Sequence, residues 1–294
     1  MIDYISLFQN LSNGILIGAV YALVGVGLTL VFGVMRTINF AHGDFVVMGM
    51  YFAVVLNSIL GWDPYASLIF AVPTGFFLGA SIQKFILSRI IDARPEAMML
   101  ATLGISLVGA NLLFLIFGGE PQSVNVSYAS STISIGEIRI SIILILAGSI
   151  TFVVIGCLFY ILNKTEIGRA IRATAENRLG AEIVGINTKK IQAIVFGLGM
   201  SLAFAAGVAL IPLLFASPVT SGASFTLKAF VVTVLGGLGN IGAAIAGGLL
   251  LGIVEVFGAS YLSSAYRDAY GLLAFLIVLL IKPEGLFGKT VKRV

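Results

Sequence analysis

Long stretches without a charged side chain dominate this sequence. Six of them lie between the charged residues at 3 and 36, 44 and 63, 96 and 120, 139 and 164, 190 and 228, and 228 and 255. A helix needs about 20 residues to cross a hydrocarbon core about 30 Å thick, and each stretch is near or beyond that length. Only 10% of the 294 residues are Asp, Glu, Lys or Arg, whereas soluble domains carry about 25%. The sequence therefore predicts a protein that crosses a membrane many times.

The fold class expected from these runs is all-α: a polytopic helical membrane protein with about eight or nine transmembrane helices in a single domain, 1–294. Membrane-spanning strands are not expected, because the runs are continuous and helix-length rather than short and alternating. A broken or short helix is expected near 226–240, where "GGLGN" interrupts the apolar sequence. The predicted spans are 11–35, 40–60, 65–88, 97–118, 139–162 and 191–215, then a glycine-rich stretch, 226–258, and a last span, 268–282.

Small residues spaced four apart recur inside these spans. Such spacing places small side chains on one helix face and lets two backbones approach closely, which is how helices pack within lipid. Close helix contacts are therefore predicted at four pairs: Gly14/Gly18, Gly75/Gly79, Ala203/Gly207 and Gly248/Gly252.

Basic residues near the span ends predict the orientation. The segment 163–190 carries six Lys or Arg against three Glu, and the tail 289–294 is also basic, whereas the loop 118–137 contains neither Lys nor Arg. Cytoplasmic loops carry the excess of Lys and Arg. The basic segments are thus predicted to be inside, together with Arg36, Arg89 and Arg94, and the N-terminus outside.

The segment 163–190 is rich in good helix formers and predicts one or two short amphipathic helices on the cytoplasmic side. Ile171, Ala175, Leu179 and Ile183 follow one another at steps of four, which predicts a single apolar stripe. Such a helix suits docking in a groove of another protein, and it equally suits a position on the lipid headgroups.

Three blocks of the chain resemble the permease subunits of branched-chain amino-acid ABC importers: "GAVYALVGVGLTLVFGVMRTINFAHGDFVVMG" at 18–49, "GRAIRATAENRLGAEIVGI" at 168–186, and "KAFVVTVLGGLGNIGAAIAGGLLLGIVE" at 228–255. The resemblance implies a multi-pass protein of a bacterial or archaeal cell membrane, the inner membrane if the cell is Gram-negative. Its partners would be two ABC ATPase subunits, a second related permease and an extracytoplasmic substrate-binding protein, with lipid around them.

The resemblance also implies that 163–190 is the cytoplasmic coupling loop that engages the ATPase. Within it, Ala181 and Gly185 match part of the importers' Ala-Gly coupling motif, although the leading Glu-Ala-Ala run is missing. The coupling residues implied are Gly168, Arg169, Arg172, Glu176, Asn177, Ala181, Gly185 and Ile186.

Enzyme and cofactor chemistry find little support in the residues. There is no G-x-x-x-x-G-K-[ST] loop for ATP phosphates. Gly237, Gly239 and Gly242 fit G-x-G-x-x-G, but they interrupt membrane sequence rather than follow a strand, and indicate a tight turn. One histidine and the single Cys157 cannot form a tetrahedral metal site. No cofactor, metal, catalytic residue or nucleic-acid partner is therefore expected.

The only histidine lies in "INFAHGDF", between the first two spans. Asn39 is expected to cap the second helix and Asp44 to lie in its first turn, where the helix dipole favours a negative charge. His42 and Asp44 are two residues apart, so on a helix they point to different sides. The trio is interpreted as a polar helix start, with a role in the translocation path or in sensing the coupling loop as the alternative. A serine-protease site with Ser106 is the remote alternative, because no acid is evident near that serine.

Glu255 is the other acidic residue inside a span. Placing a charge in lipid costs at least ~2.5–3.5 kcal/mol, so an intramembrane acid indicates a function or a partner. Lys228 is the candidate partner, and hydration of Glu255 near the outer interface is the alternative.

The function expected is a permease subunit that moves branched-chain or related amino acids, driven by ATP hydrolysis in partner chains. A permease for urea or short-chain amides is the first alternative. A stand-alone secondary transporter or channel is the second, although such proteins usually show inverted repeats and several intramembrane charges.

Overall fold

Helices make up most of the computed structural model, which describes residues 4–90, 94–283 and 285–287. Eight of the described helices are long and apolar enough to cross a membrane, and the apolar helix Ser221–Gly236 is shorter. The predicted all-α polytopic fold, with a short helix near 226–240, is confirmed. In chain order the helices are α1 (Tyr4–Met35), α2 (His42–Leu60), α3 (Leu68–Phe85), α4 (Pro95–Phe117), α5 (Ile142–Lys164), α6 (Glu166–Glu176), α7 (Arg178–Ile183), α8 (Thr188–Leu210), α9 (Ser221–Gly236), α10 (Ile241–Tyr261) and α11 (Arg267–Ile281).

The two ends of the bundle differ in structure and charge. At the end that we call the basic end, α6 and α7 join α5 to α8, and Arg36 donates from Nη2 to the Ala175 carbonyl of α6 at 3.2 Å. At the opposite end, which we call the hairpin end, strands β1 (Thr132–Ile135) and β2 (Ile138–Ser141) pair antiparallel before α5 begins. The tail 289–294, used above for orientation, lies outside the described residues.

The hairpin is a short element that the sequence patterns did not predict. It turns at Gly136, whose φ of 64° suits glycine, and it is held to α1 by Gln9. The Gln9 side chain donates to the Arg139 carbonyl at 2.7 Å and accepts from the Arg139 amide at 2.8 Å. These contacts fix one end of α1 to the loop that precedes α5.

A second loop at the hairpin end is closed by a tyrosine. The Tyr128 hydroxyl donates to the Asp63 carboxylate at 2.6 Å. Burial, followed by this hydrogen bond, raises the pKa of Tyr128 above its ordinary value. A tyrosine phenol is protonated around neutral pH even at its ordinary pKa of about 10, so Tyr128 is a donor to Asp63.

Glycine contacts hold the long helices together as predicted. On α1, a β-carbon at Gly18 would lie 2.8 Å from the Leu249 Cα of α10, and one at Gly14 would lie 2.9 Å from the Ile253 Cα. Gly248 and Gly252 meet the backbone of α1 from the other side. In the same way Gly75 and Gly79 of α3 pack on α8, and Gly207 of α8 packs on α2. These small residues bring backbones into contact, which is the main source of helix association in lipid.

The start of α2 lies deep inside the bundle rather than at its end. The chain leaves α1 through Arg36, whose φ is 56°, and turns back so that the His42 ring contacts Gly27. Gly27 precedes Met35, the last residue of α1, by eight residues. At about 1.5 Å per residue, α2 therefore begins ~12 Å inside the end of α1. The segment 37–41 is irregular backbone at membrane depth, which is tolerated only where protein groups satisfy its polar atoms.

Candidate functional site

Helix α6 is fixed to the basic end of the bundle by specific contacts. Thr165 caps it by accepting from the Gly168 amide at 3.1 Å. Gly168 packs directly on the carbonyls of α5, where a β-carbon would overlap them. The Arg172 guanidinium donates to the Leu162 carbonyl at the end of α5, and Ile171 is buried. The N-terminal half of the coupling segment is thus anchored to α5 and packs against α1 and α8.

Helix α7 is a separate short helix, because the backbone leaves the helical conformation at Asn177. Asn177 is extended, with φ of −148°, and its side chain accepts from the Gly180 amide at 2.9 Å to cap α7. At the other end Gly185 takes a φ of 88°, and the Ile186 amide donates back to the Ala181 carbonyl at 2.9 Å. The four-residue spacing therefore does not form a single stripe: the prediction of one apolar face from Ile171 to Ile183 is wrong.

The broken stripe leaves apolar side chains exposed on α7. Leu179, Ile183 and Val184 are 72%, 85% and 74% exposed. In contrast Ala181 is buried, and Thr188 donates to Glu182 at 2.5 Å. The backbone of α7 is anchored at these points while its apolar side chains point away from the bundle. An exposed apolar patch with a polar rim is typical of a protein interaction site.

A cavity of about 570 Å³ lies directly behind α6. Its walls come from α1, α5, α6 and the turn between α9 and α10. Thr29, Asn163, Arg172 and Asn240 are the polar residues of this lining. Because α6 forms one wall, a displacement of α6 changes the shape of this cavity.

The irregular segment before α2 is satisfied by three side chains. Thr102 accepts from the Phe40 amide at 3.1 Å, and Asn39 accepts from the Ala41 amide at 3.1 Å. The Thr226 hydroxyl of α9 bridges the segment: it donates to the Phe40 carbonyl at 3.1 Å and accepts from the Gly43 amide at 2.9 Å. These hydroxyls replace the water that the membrane interior lacks.

Asn39 is not the cap residue of α2, contrary to the prediction. The helix begins at His42, so Ala41 holds the cap position without a side-chain hydrogen bond. Asn39 lies two residues earlier because the chain first returns into the bundle. Its side chain supports the entering turn instead.

Asp44 lies in the first turn of α2, as predicted, and faces a second helix start. Its carboxylate is against Gly222 in the first turn of α9, where a β-carbon would overlap it. Two helix N-termini thus converge on one carboxylate, and each favours negative charge. His42 points elsewhere: its Nε2 lies 2.9 Å from the Val24 carbonyl of α1, and its side chain is fully buried.

Ser106 does have an acidic neighbour, contrary to the expectation from sequence. Its side chain lies beside Asp44, because α4 runs beside the start of α2. The His42 ring bonds to Val24 instead, and its Nδ1 has no partner among the described residues. A serine–histidine pair is therefore not formed.

Glu255 belongs to a separate ionic cluster between α1, α9, α10 and α11. It is 1% exposed and pairs with Lys228, and it accepts from the Tyr21 hydroxyl at 2.9 Å. Lys228 also reaches Asp268 at 2.8 Å, and the Arg267 Nε lies 3.5 Å from Glu255. The structure thus shows the pairing with Lys228 and a buried carboxylate, whereas the hydrated alternative required exposure.

Comparison with known proteins adds a family to this architecture. A family model described as the permease component of branched-chain amino acid transport systems matches residues 10–281. The chain belongs to that permease family.

Individual relatives agree with this assignment over nearly the whole length. The permease is 32% identical to the high-affinity branched-chain amino acid transport system permease protein BraD of Pseudomonas aeruginosa, covering 96% of this chain and 95% of BraD. It is 29% identical to LivH of Escherichia coli, covering 98% and 97%. The fold resembles the solved structure of PsaBC from Streptococcus pneumoniae in complex with Fab, with a TM-score of 0.50, 16% identity, and coverage of 95% and 92%. The permease is thus a multi-pass integral membrane protein with a transporter fold.

The predicted site residues of this permease fall into three places. The coupling residues lie together on α6, α7 and the turn before α8. Asn39, His42 and Asp44 surround the start of α2, but Glu255 does not join them. Sequence reasoning missed the residues that complete each cluster, namely Thr102, Thr226, Gly222, Tyr21, Arg267 and Asp268. Only the adjacent charges of Arg267 and Asp268 gave a visible signal, at the start of the last span.

Proposed function

We propose that this chain is the membrane-spanning subunit of an ATP-driven importer for branched-chain amino acids. Its family and its relatives BraD and LivH are named for that transport. The sequence has no phosphate-binding loop, so ATP hydrolysis belongs to separate ATPase chains. Two such chains, a second related permease and an extracytoplasmic binding protein complete the transporter.

One observation carries this proposal: α6 and α7 are rigidly attached and yet present bare apolar side chains. Leu179, Ile183 and Val184 project from a segment that Arg36, Arg172 and Asn177 hold in place. A helix lying on headgroups would need no such rigid attachment to the bundle. A docking element must transmit force, and rigid anchorage to α1 and α5 provides that.

The position of the cavity behind α6 supports coupling between movements of the ATPase and the transported substrate. ATPase movements that push α6 would move Ile171 and Arg172, both of which line the cavity of about 570 Å³. The cavity has polar and apolar walls and is large enough for a small solute. We therefore place the basic end of the transport path here, on the cytoplasmic side.

The proposal is tested by co-purification of the permease with its ATPase subunits. Leu179→Glu and Ile183→Glu should each reduce the amount of bound ATPase at least ~10-fold, because central apolar contacts dominate interface energies. Both residues are exposed, so the thermal stability of the permease alone should stay unchanged.

Val219→Glu is the matched control. Val219 is a 61% exposed apolar residue in the loop between α8 and α9, at the hairpin end. It should leave ATPase binding intact. Equal binding by all three variants would disprove docking on α7.

A further inference from the structure

A second cavity lies at the hairpin end and differs in character from the one behind α6. It measures about 230 Å³ and is bounded by α1, the start of α5, the end of α8 and the start of α11. Aliphatic side chains make most of its wall, among them Val20, Leu144, Leu213 and Leu214. Arg267 is the charged residue of this lining. One guanidinium facing an aliphatic chamber is an unusual combination inside a membrane protein.

Arg267 belongs to the ionic cluster, but its guanidinium N–H donors make no hydrogen bond within the described residues. The Glu255 carboxylate already pairs with Lys228 through one oxygen and accepts from Tyr21 through the other. The Arg267 Nε lies 3.5 Å from Glu255 but makes no hydrogen bond. Within the described part of the chain its terminal nitrogens also make none, and its side chain is 34% exposed. The guanidinium fork is therefore available to a bidentate acceptor such as a carboxylate.

The cavity also borders the end of one helix, which favours a positive charge, and the starts of α5 and α11, which favour a negative one. Leu210 is the last residue of α8, and Leu213 and Leu214 follow it. The C-terminal end of a helix carries a partial negative charge and attracts cations. Ser141 precedes α5 without making a cap hydrogen bond, so its hydroxyl is an acceptor that the helix does not occupy. The Leu210 carbonyl already accepts from the Leu213 and Leu214 amides. The lining thus offers one cation, the Ser141 hydroxyl as an acceptor, and an aliphatic wall in one chamber.

We propose that this cavity binds an aliphatic amino acid during import. Arg267 holds the α-carboxylate, the end of α8 and Ser141 face the ammonium, and the leucine and valine side chains enclose the hydrocarbon chain. The volume equals the liquid share of about seven to eight water molecules, at about 30 Å³ each, which suits a single small amino acid. This assignment rests on the proposed function and specifies where its substrate is recognised at the hairpin end.

Thiol protection tests the site directly. In a Cys157→Ala background, which removes the only cysteine of the chain, Leu214→Cys places a thiol in the cavity wall. Leu214 is 37% exposed, so a charged maleimide should label the full-length protein in membranes. Leucine at millimolar concentration should slow this labelling at least ~5-fold, whereas leucinamide and urea, which lack a carboxylate, should not. Adding Arg267→Gln should abolish the protection by leucine.

Phe215→Cys is the matched control, one position further on and 70% exposed. Its labelling rate should not respond to leucine. The proposal is overturned if leucine fails to protect Leu214→Cys, if leucinamide or urea protects equally, if protection survives Arg267→Gln, or if the cavity thiol is never labelled. None of these results depends on ATPase binding to α7, so a failure of this site can be distinguished from a failure of the proposed function.

Discussion

At the scale of single residues, one hydroxyl group, that of Thr226, satisfies two backbone groups at the start of α2. Thr226 uses its one hydrogen to bond the Phe40 carbonyl and its lone pair to accept from Gly43. Both backbone groups lie where the chain re-enters the bundle, away from water. A single side chain therefore satisfies the two ends of an irregular turn.

Thr226→Val should destabilise the protein by about 2–4 kcal/mol, because it keeps the shape of the side chain and leaves two part-buried backbone groups without partners. Thr226→Ser retains the hydroxyl and should be close to the wild type. Thermal denaturation of the detergent-solubilised protein measures both. A Val variant as stable as the Ser variant would contradict the bridging role.

His42 is predicted to be structural. Its ring is fully buried against Gly27 and bonds to the Val24 carbonyl. His42→Ala should cost about 1–3 kcal/mol of stability, leave the assembled transporter intact and lower uptake only in part. Uptake of labelled leucine by reconstituted complexes provides the measurement. Complete loss of uptake with normal assembly would assign His42 to the transport path.

At the scale of elements, α11 belongs to the least buried of the eight candidate spans. Only 6% of Ser264–Ile281, the segment that contains α11, is buried, yet the first turn of α11 contacts α9 and α10 through charged side chains. Asp268 reaches Lys228, and Arg267 lies beside Glu255. The ionic cluster therefore fixes the position where α11 enters the bundle.

Removing one partner of the buried pair should be far worse than removing both. Lys228→Met alone should cost about 3–5 kcal/mol, because it leaves Arg267, at 3.5 Å, as the nearest cation to the buried Glu255 carboxylate. Glu255→Gln should cost less, because Lys228 keeps its contact with Asp268. The double variant should recover part of this loss. A double-mutant cycle on thermal stability measures the coupling, and strictly additive losses would show that the two side chains act separately.

The sequence predicts where the helices lie along the chain better than it predicts how deep in the bundle each helix begins. The six charge-free runs coincide with α1, α2, α4, α5, α8 and α10. The spacing of Gly14, Gly18, Gly248 and Gly252 correctly indicated faces of close packing, but not that α1 and α10 are partners. The deep start of α2 could not be predicted, because it depends on hydroxyls of α4 and α9 that are distant in sequence. The break at Asn177 was not predicted from the sequence. Asparagine is more favourable at an N-cap than inside a helix, and here its side chain caps α7.

At the scale of the whole molecule, the order of the helices determines sidedness. α1 to α5, α8 and α9 to α11 alternate in direction, so the basic end and the hairpin end face opposite sides of the membrane. The excess of Lys and Arg around α6 then indicates which end faces the cytoplasm.

Single-cysteine labelling tests this orientation in the Cys157→Ala background. Ser130→Cys lies in the exposed loop before the hairpin and Glu176→Cys lies at the exposed end of α6. An impermeant maleimide added to intact cells should modify the first and spare the second until the membrane is opened. The reverse pattern would place α6 and α7 outside the cell and would rule out engagement of a cytoplasmic motor.

The backbone contact between α1 and α10 has a mechanical consequence. Gly18 contacts the Leu249 backbone with no side chain between the two helices. Translation or rotation of one helix against the other would bring their backbones into collision, so we expect α1 and α10 to move together as one rigid unit. During transport we expect the remaining helices to change their positions relative to this unit of α1 and α10.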